Sequence, residues 1–325
     1  MYLACTLRFL RSGDRAQRAA RYALRRFQFA YAMFEKPVKN QVSGEIAEAL
    51  GWNAGKLQLQ PVSGGSIAGS WQLRSDNDRA FIKTVSASQN SMLDAERDGL
   101  ARLAQSGAVR SPSVFGHGTV DDTSWLALEW LDLCQLNGPG FAALGRQLCE
   151  LHRYRAETFG LEKDNFIGAT TQPNKQTADW TEFLFKYRLG FQLDLLASRK
   201  RGFGQDDTAR LQAAWQQRFS DYAPQPSLLH GDLWGGNAAM LTGGQPVLFD
   251  PATHYGDREC DLAMADLFGG FDRDFFDAYA AQWPLEPGWQ DRRPFYKLYH
   301  LLNHANLFGG HYVSASRRLI DELSA

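Results

Sequence analysis

The sequence contains few cysteines and no long hydrophobic run. Its 325 residues include four cysteines, none of them in a C-x-x-C pair: Cys5, Cys134, Cys149 and Cys260. This spacing excludes a recognisable zinc or redox motif, and it favours a reducing, cytoplasmic setting. No stretch approaches the roughly 18 apolar residues that a membrane-spanning helix requires, so we expect neither a membrane span nor a membrane partner.

Net charge is also nearly absent, but the charges are unevenly distributed. The 35 Lys+Arg and 36 Asp+Glu give a formal charge of −1, yet residues 1–26 hold seven arginines and one aspartate. We interpret residues 1–40 as an accessory N-terminal extension; a transit peptide or a nucleic-acid-binding arm are the alternatives, and Met1 and Met33 both stay open as the native start. The acidic remainder has no basic patch interleaved with aromatic residues, so we expect no nucleic-acid partner.

The composition is that of a globular protein with ample core material. Hydrophobic residues make up 44% of the chain, aromatic residues 13% and charged residues 22%. These values exclude a disordered, collagen-like or coiled-coil chain. The length predicts two domains or one large bilobal unit.

The first part of the chain has the pattern of a small antiparallel sheet. Short alternating runs at 57–60, 70–74 and 80–85 are separated by turn-rich segments, which predicts a three-stranded meander. Residues 91–105 have apolar side chains at helical spacing, and 125–131 follow as another strand. The predicted order is therefore β-β-β-α-β.

This order, with a glycine loop, a strand lysine and a helix glutamate, is typical of a kinase small lobe. Gly64, Gly65 and Ser66 lack bulky side chains where backbone N–H groups would have to approach phosphate oxygens. Lys83 would hold the α- and β-phosphates, and Glu96 would hold Lys83. Each feature alone also fits an ordinary hairpin or a solvent-facing lysine, so the interpretation depends on the rest of the chain.

The second part reads as mainly helical, with helices predicted over 141–155, 180–197, 207–219, 271–282 and 293–307. A non-helical block at 229–237 and 246–252 interrupts them. Asp232 and Asn237 have the D-x-x-x-x-N spacing of kinase catalytic loops, and Asp250 follows an apolar run. In such loops the aspartate accepts a hydroxyl proton, while Asn237 and Asp250 would ligate Mg²⁺. The ordered set predicts kinase-type phosphoryl transfer from ATP.

The fold class expected from these patterns is α+β. We expect a protein-kinase-like bilobal fold with a nucleotide-binding N-lobe over 41–133, built on an antiparallel sheet with one helix, and a larger, mainly α-helical C-lobe over 134–325. Mg-ATP is expected between the lobes, with the backbone of Glu129, Trp130 and Leu131 meeting the adenine.

Other polar residues near the block have more than one interpretation. His230 is more consistent with a hydrogen-bonded histidine that orients the backbone than with a base, and Asp261 with an anchor for the catalytic loop. Trp234 fits either an apolar wall for a sugar or a core position. His254 fits either the substrate pocket or a structural role.

Several motifs together resemble the fructosamine kinase (ketosamine-3-kinase) family. They are HGDLWGGN at 230–237, FDPA at 249–252, YGDRECD at 255–261, VSGGS at 62–66, DNFIG at 164–168 with Gln172 and Asn174, and LYHLLNH at 298–304. The resemblance runs from about residue 41 to the end.

The resemblance implies an ATP- and Mg²⁺-dependent kinase that phosphorylates the 3-hydroxyl of a ketosamine, free or protein-bound, in deglycation repair. It leaves the preferred sugar, the amine and the oligomeric state open. A kinase of the aminoglycoside or choline type is the first alternative, although it would lack the DNFIG segment. A nucleotide-binding pseudokinase module is the second, although none of the four residues that pseudokinases usually lose is missing: Lys83, Asp232, Asn237 and Asp250.

Overall fold

The computed structural model describes residues 36–53, 57–62 and 68–325. The predicted nucleotide-loop residues Gly64, Gly65 and Ser66 lie outside the described residues. Backbone contacts divide the chain into two units: the described part of 1–97 together with 112–132, and 98–111 together with 133–325.

The first unit is built on a five-stranded antiparallel sheet. Its elements are α1 (Lys36–Ala49), β1 (Gln58–Pro61), β2 (Gly69–Arg74), β3 (Arg79–Ser86), the start of α2 (Asn90–Ser106), β4 (Val114–Val120) and β5 (Thr123–Glu129). The strand order is β1-β2-β3-β5-β4. The predicted meander and helix are confirmed, and α1 begins inside the segment that was assigned to the extension.

The edge strand β4 was not predicted, and two glycines explain why. Gly116 and Gly118 lie opposite Ala127 and Trp125 in the register of β4 and β5. A Cβ at Gly118 would lie 2.9 Å from the Trp125 ring, so the strand needs glycine there to accommodate the indole. Since glycine is depleted in strands, these two residues weaken the strand signal of β4.

The helix α2 extends over the boundary between the units. Leu93, Leu100 and Leu103 are buried along its apolar face, in agreement with the predicted helical spacing. Residues 98–111, which the sequence assigned to the N-lobe, belong with the second unit.

The second unit is mainly helical, as predicted. Its elements are β6 (Leu133–Cys134), α3 (Gly138–His152), β7 (Asn165–Ile167), β8 (Thr170–Gln172), α4 (Trp180–Leu184), a π-helical turn (Phe185–Gly190), α5 (Phe191–Ser198), α6 (Gln205–Phe219), β9 (Ser227–Leu229), β10 (Ala238–Leu241), β11 (Pro246–Leu248), β12 (His254–Gly256), α7 (Glu259–Leu267), α8 (Arg273–Gln282), α9 (Trp289–Phe308) and α10 (His311–Leu323). Its short strands form the sheets β11-β10-β6, β12-β9 and β7-β8.

Two aromatic side chains of α4 lie in the core of this unit. Trp180 and Phe183 are 2% and 0% exposed and pack on each other. The helix predicted over 180–197 is interrupted by the π-helical turn, and α7 and α10 were not predicted. Within the described residues, no helix has the length and hydrophobicity needed to cross a membrane.

Candidate active site

The loop at 230–237 is anchored by one buried carboxylate. Asp261, on α7, accepts hydrogen bonds from the backbone N–H groups of His230 (2.7 Å) and Gly231 (2.9 Å), and from Nε2 of His152 (3.2 Å). Burial raises the pKa of Asp261, but the hydrogen bonds from His152 and from the Gly231 N–H oppose burial, and this pKa lies below its usual value. The anchoring role expected for Asp261 is confirmed.

His230 connects two chain segments and is held neutral. Its Nδ1 accepts the backbone N–H of Asp232 (3.3 Å), so its Nε2 carries the proton and donates to the carbonyl of Phe249 (3.1 Å). Burial lowers the pKa of this imidazole. Since both ring nitrogens bond to backbone, His230 orients the loop, as expected.

Gly231 allows the loop to touch the turn that follows Asp250. Its φ is +82°, and a Cβ there would lie 2.1 Å from the carbonyl oxygen of Ala252. The Ala252 N–H donates to the His230 carbonyl (2.9 Å) in the same contact. A residue with a side chain would therefore force the two segments apart.

The structure brings Asp232, Asn237 and Asp250 together. The amide nitrogen of Asn237 donates to the Asp232 carbonyl (2.9 Å), to Oδ2 of Asp232 (3.1 Å) and to the Asp250 carbonyl (3.4 Å). All these bonds use Nδ2, so Oδ1 is the atom that Asn237 offers to a cation. Asp250 has a left-handed backbone with φ +57°, which is uncommon for a residue other than glycine.

The electrostatics of this group fit a cation. The pKa of Asp232 is raised to about 7, first by burial and then by the charge of Asp250, while the bond from Asn237 lowers it. The described residues contain no cluster of three His, Cys, Asp or Glu side chains that would hold a metal. Asn237 and Asp250 would thus supply only part of a coordination sphere, which suits Mg²⁺ because it usually keeps water and phosphate ligands.

The two residues suggested for substrate contact lie in different surroundings. Trp234 is half-buried, and its ring covers Gly236, where a Cβ would lie 2.2 Å from the indole. His254, on β12, is 4% exposed; its ring packs against Phe183 and its Nδ1 donates to the Ala252 carbonyl (3.2 Å). His254 is therefore an interior residue, whereas Trp234 is partly accessible.

In the first unit, the predicted pair of Lys83 and Glu96 is formed. The Lys83 ammonium lies 2.6 Å from the Glu96 carboxylate, and the two side chains are 9% and 14% exposed. This contact fixes the lysine side chain at the sheet, where it could serve as a point charge for phosphate.

The segment expected to meet adenine follows strand β5, which lies between β3 and the edge strand β4. Glu129 ends this strand, its N–H donates to the Ser113 carbonyl (2.8 Å), and its carboxylate accepts the Ser113 N–H (3.1 Å). Trp130 and Leu131 are half-buried. The indole N–H of Trp130 donates to Asp132 (3.1 Å), which also pairs with Arg79.

Sequence reasoning missed two buried groups of the second unit. Arg292 forms two hydrogen bonds of 2.8 and 2.6 Å with the Glu259 carboxylate, and these residues are 4% and 0% exposed. Arg188 and Tyr299 join a network of side-chain amides beneath the turn after Asp250. No local motif signals either group, since the partners lie far apart in the sequence.

Comparisons with known proteins agree with this geometry. A family model described as fructosamine kinase matches residues 38–325. The "Probable ketoamine kinase" of Synechocystis sp. is 40% identical over 282 residues, covering 86% of this chain and 95% of that protein. A crystal structure from Haemophilus somnus, named "Putative fructosamine-3-kinase", has a TM-score of 0.81 and 30% identity, covering 87% and 96% of the two chains. A complex of aminoglycoside phosphotransferase APH(4)-Ia with AMP-PNP and hygromycin B has a TM-score of 0.61 at 12% identity, covering 87% and 98%, and is similar in fold.

Proposed function

This chain belongs to the fructosamine kinase family, and from that premise we propose that it transfers the γ-phosphoryl group of ATP to the 3-hydroxyl of a ketosamine. The observation that carries the proposal is the grouping of Asp232, Asn237 and Asp250 on a loop that Asp261 and Gly231 hold in place.

Asp232 is the proposed catalytic residue. The bond from Asn237 to its Oδ2 fixes the carboxylate. Oδ1 is therefore the proposed acceptor of the hydrogen bond from the sugar hydroxyl. Phosphoryl transfer passes through a loose transition state, so orienting this hydroxyl contributes more than removing its proton early. The raised pKa of Asp232 suits a group that takes up the proton as the new ester forms.

Each unit supplies candidate groups for the nucleotide or the metal. Mg²⁺, when bound, would neutralise charge on the phosphates. Oδ1 of Asn237 and the carboxylate of Asp250 are the proposed ligands in the second unit. Lys83, held by Glu96 at 2.6 Å, is the proposed contact to the α- and β-phosphates.

The proposed biological result is deglycation. A ketosamine phosphorylated at the 3-position is unstable, and its decay releases the free amine. Phosphorylation would therefore remove a sugar that has reacted with a lysine or a small amine, and the substrate is free or protein-bound.

The test combines substrate comparison with one substitution. We expect ADP release with ribulose-lysine or fructose-lysine, and none with kanamycin or choline. Asp232→Asn should lower kcat by about 10²–10⁴-fold and leave ATP affinity nearly unchanged, because it removes a proton acceptor and keeps the shape. Turnover with kanamycin or choline alone, or near-normal kcat in the variant, would contradict the proposal.

A further inference from the structure

The motif at 164–168 lies beneath the turn that follows Asp250. Asn165, 7% exposed, donates from Nδ2 to the Thr253 carbonyl (2.7 Å). Its Oδ1 accepts from Nε2 of Gln172 (2.8 Å) and from Nδ2 of Asn174 (2.7 Å). Every polar atom of the Asn165 side chain is thus used, and its one donor contact goes to the turn.

Gln172 reaches the neighbouring carbonyl of the same turn. Its Nε2 also donates to Ala252 O (3.2 Å), and its Oε1 accepts the hydroxyl of Tyr299 (2.7 Å). Gln172 is 1% exposed. Two successive carbonyls, two and three residues after Asp250, are therefore held by side-chain amides and not by a regular sheet.

Arg188 is the charged member of this network and contacts Asn174. It is 1% exposed, and its guanidinium donates to Oδ1 of Asn174 (2.7 Å) and lies over the rings of Phe183 (4.6 Å) and Tyr299 (5.8 Å). Burial lowers the pKa of Arg188 to about 10, so it stays charged at neutral pH. Burying such a charge is costly, and apolar replacements of buried charges are often as stable. Stability alone therefore does not account for this network.

The backbone conformation of Asp250 gives a reason for this network. A left-handed backbone at a residue other than glycine persists only where the surroundings hold it. On one side, the His230 carbonyl accepts the Ala252 N–H (2.9 Å). On the other, the amides of Asn165 and Gln172 hold the carbonyls of Thr253 and Ala252, so the turn is fixed from both sides.

We propose that Asn165 and Gln172 are positioning residues that set the Asp250 carboxylate for metal-dependent nucleotide binding by holding the carbonyls of the turn after it. This inference rests on the proposed role of Asp250 as a metal ligand. Arg188 and Asn174 support the two amides and keep their orientation.

Binding of AMP-PNP, measured by calorimetry at pH 8 with MgCl₂ or with EDTA, tests the positioning role without turnover. Asn165→Asp keeps the two acceptor contacts and replaces the donor to Thr253 with an oxygen. We expect the affinity with MgCl₂ to fall about tenfold, the effect of one lost buried hydrogen bond, and the affinity with EDTA to stay unchanged. Gln172→Glu should also lower the affinity with MgCl₂.

Asn306→Asp is the matched control. Asn306 is 2% exposed and its Nδ2 likewise donates to a backbone carbonyl, that of Gln192 (2.9 Å), away from the turn. A merely structural role predicts equal loss of melting temperature and equal nucleotide affinity for Asn165→Asp and Asn306→Asp. That result would overturn the positioning role.

Asp250→Ala separates this inference from the proposed function. If Asp250→Ala keeps Mg²⁺-dependent binding of AMP-PNP, the assignment of Asp250 as a ligand is wrong, and the inference with it. If Asp250→Ala abolishes that binding while Asn165→Asp binds like the wild type, the positioning role alone is wrong. If Asn165→Asp does not fold, Gln172→Glu takes its place. Its nucleotide affinity and melting temperature are then compared with those of Asn306→Asp.

Discussion

The contact between Gly231 and Ala252 makes a quantitative prediction. A Cβ at position 231 would lie 2.1 Å from the Ala252 oxygen, whereas Cβ contacts under 3.0 Å are essentially never found, so Gly231→Ala must separate the segments by at least 0.9 Å. Asp232 is the next residue and moves with the loop. A misplacement of about 1 Å at a catalytic group lowers turnover by about 100-fold, and we expect a loss of kcat of that order.

Gly244→Ala isolates the backbone strain from the collision. Gly244 has φ +89°, close to the +82° of Gly231, but a Cβ there meets nothing within 4 Å. A left-handed conformation costs a residue with a side chain about 1–2 kcal/mol. Gly244→Ala should thus lower the melting temperature by roughly 2–8 °C and keep full kcat, since about 1 kcal/mol corresponds to 2–4 °C for a cooperative unit of 150–250 residues.

The assay is the initial rate of ADP release at saturating substrate, with thermal unfolding of both variants. Gly231→Ala should lose more stability than Gly244→Ala, because it adds the collision to the strain. Equal melting temperatures together with a normal kcat for Gly231→Ala would refute the reasoning that this contact positions Asp232.

Two further predictions concern charges. Glu96→Gln removes the partner of Lys83 from a pair whose side chains are 9% and 14% exposed; we expect the KM for ATP to rise about tenfold with a small change in kcat, and an unchanged KM would count against phosphate binding by Lys83. Burial lowers the pKa of His300 to about 3, whereas the unfolded chain takes up this proton near the ordinary value of about 6.5, so stability is lost as pH falls below it. Between pH 6.5 and 5 this amounts to about 2 kcal/mol, and His300→Gln should weaken the acid sensitivity of urea unfolding by that amount. The same pH dependence of unfolding in the wild type and in His300→Gln would exclude this contribution of His300.

Much of the fold was predictable where the signal is local. Alternating side chains predicted β1 to β3, and helical spacing predicted α2. The strand β4 was not predicted because two of its positions, Gly116 and Gly118, are glycines that make room for the Trp125 side chain of the next strand. A tertiary contact of this kind has no trace in the local pattern.

The site divides in the same way. Asp232, Asn237 and Asp250 lie within 20 residues on one loop and hairpin, so their spacing alone predicted their grouping. Gln172 and Tyr299 meet across 127 positions, and Arg188 comes from a separate π-helical turn. No local sequence pattern predicts that these side chains meet under Ala252, because the packing of helices brings them together.

The close fit of Gly231 against Ala252 also bears on ionic radius. The His230 and Ala252 backbones are joined at 2.9 Å, so the segments that carry the two proposed ligands, Asn237 and Asp250, form one piece whose width is fixed by backbone atoms. Mg²⁺ takes oxygen ligands at about 2.0–2.1 Å, whereas Ca²⁺ takes more of them at about 2.3–2.6 Å and needs a site that can widen. We expect such a frame to discriminate between the two ions by size, since glycine at position 231 leaves no slack to take up the difference.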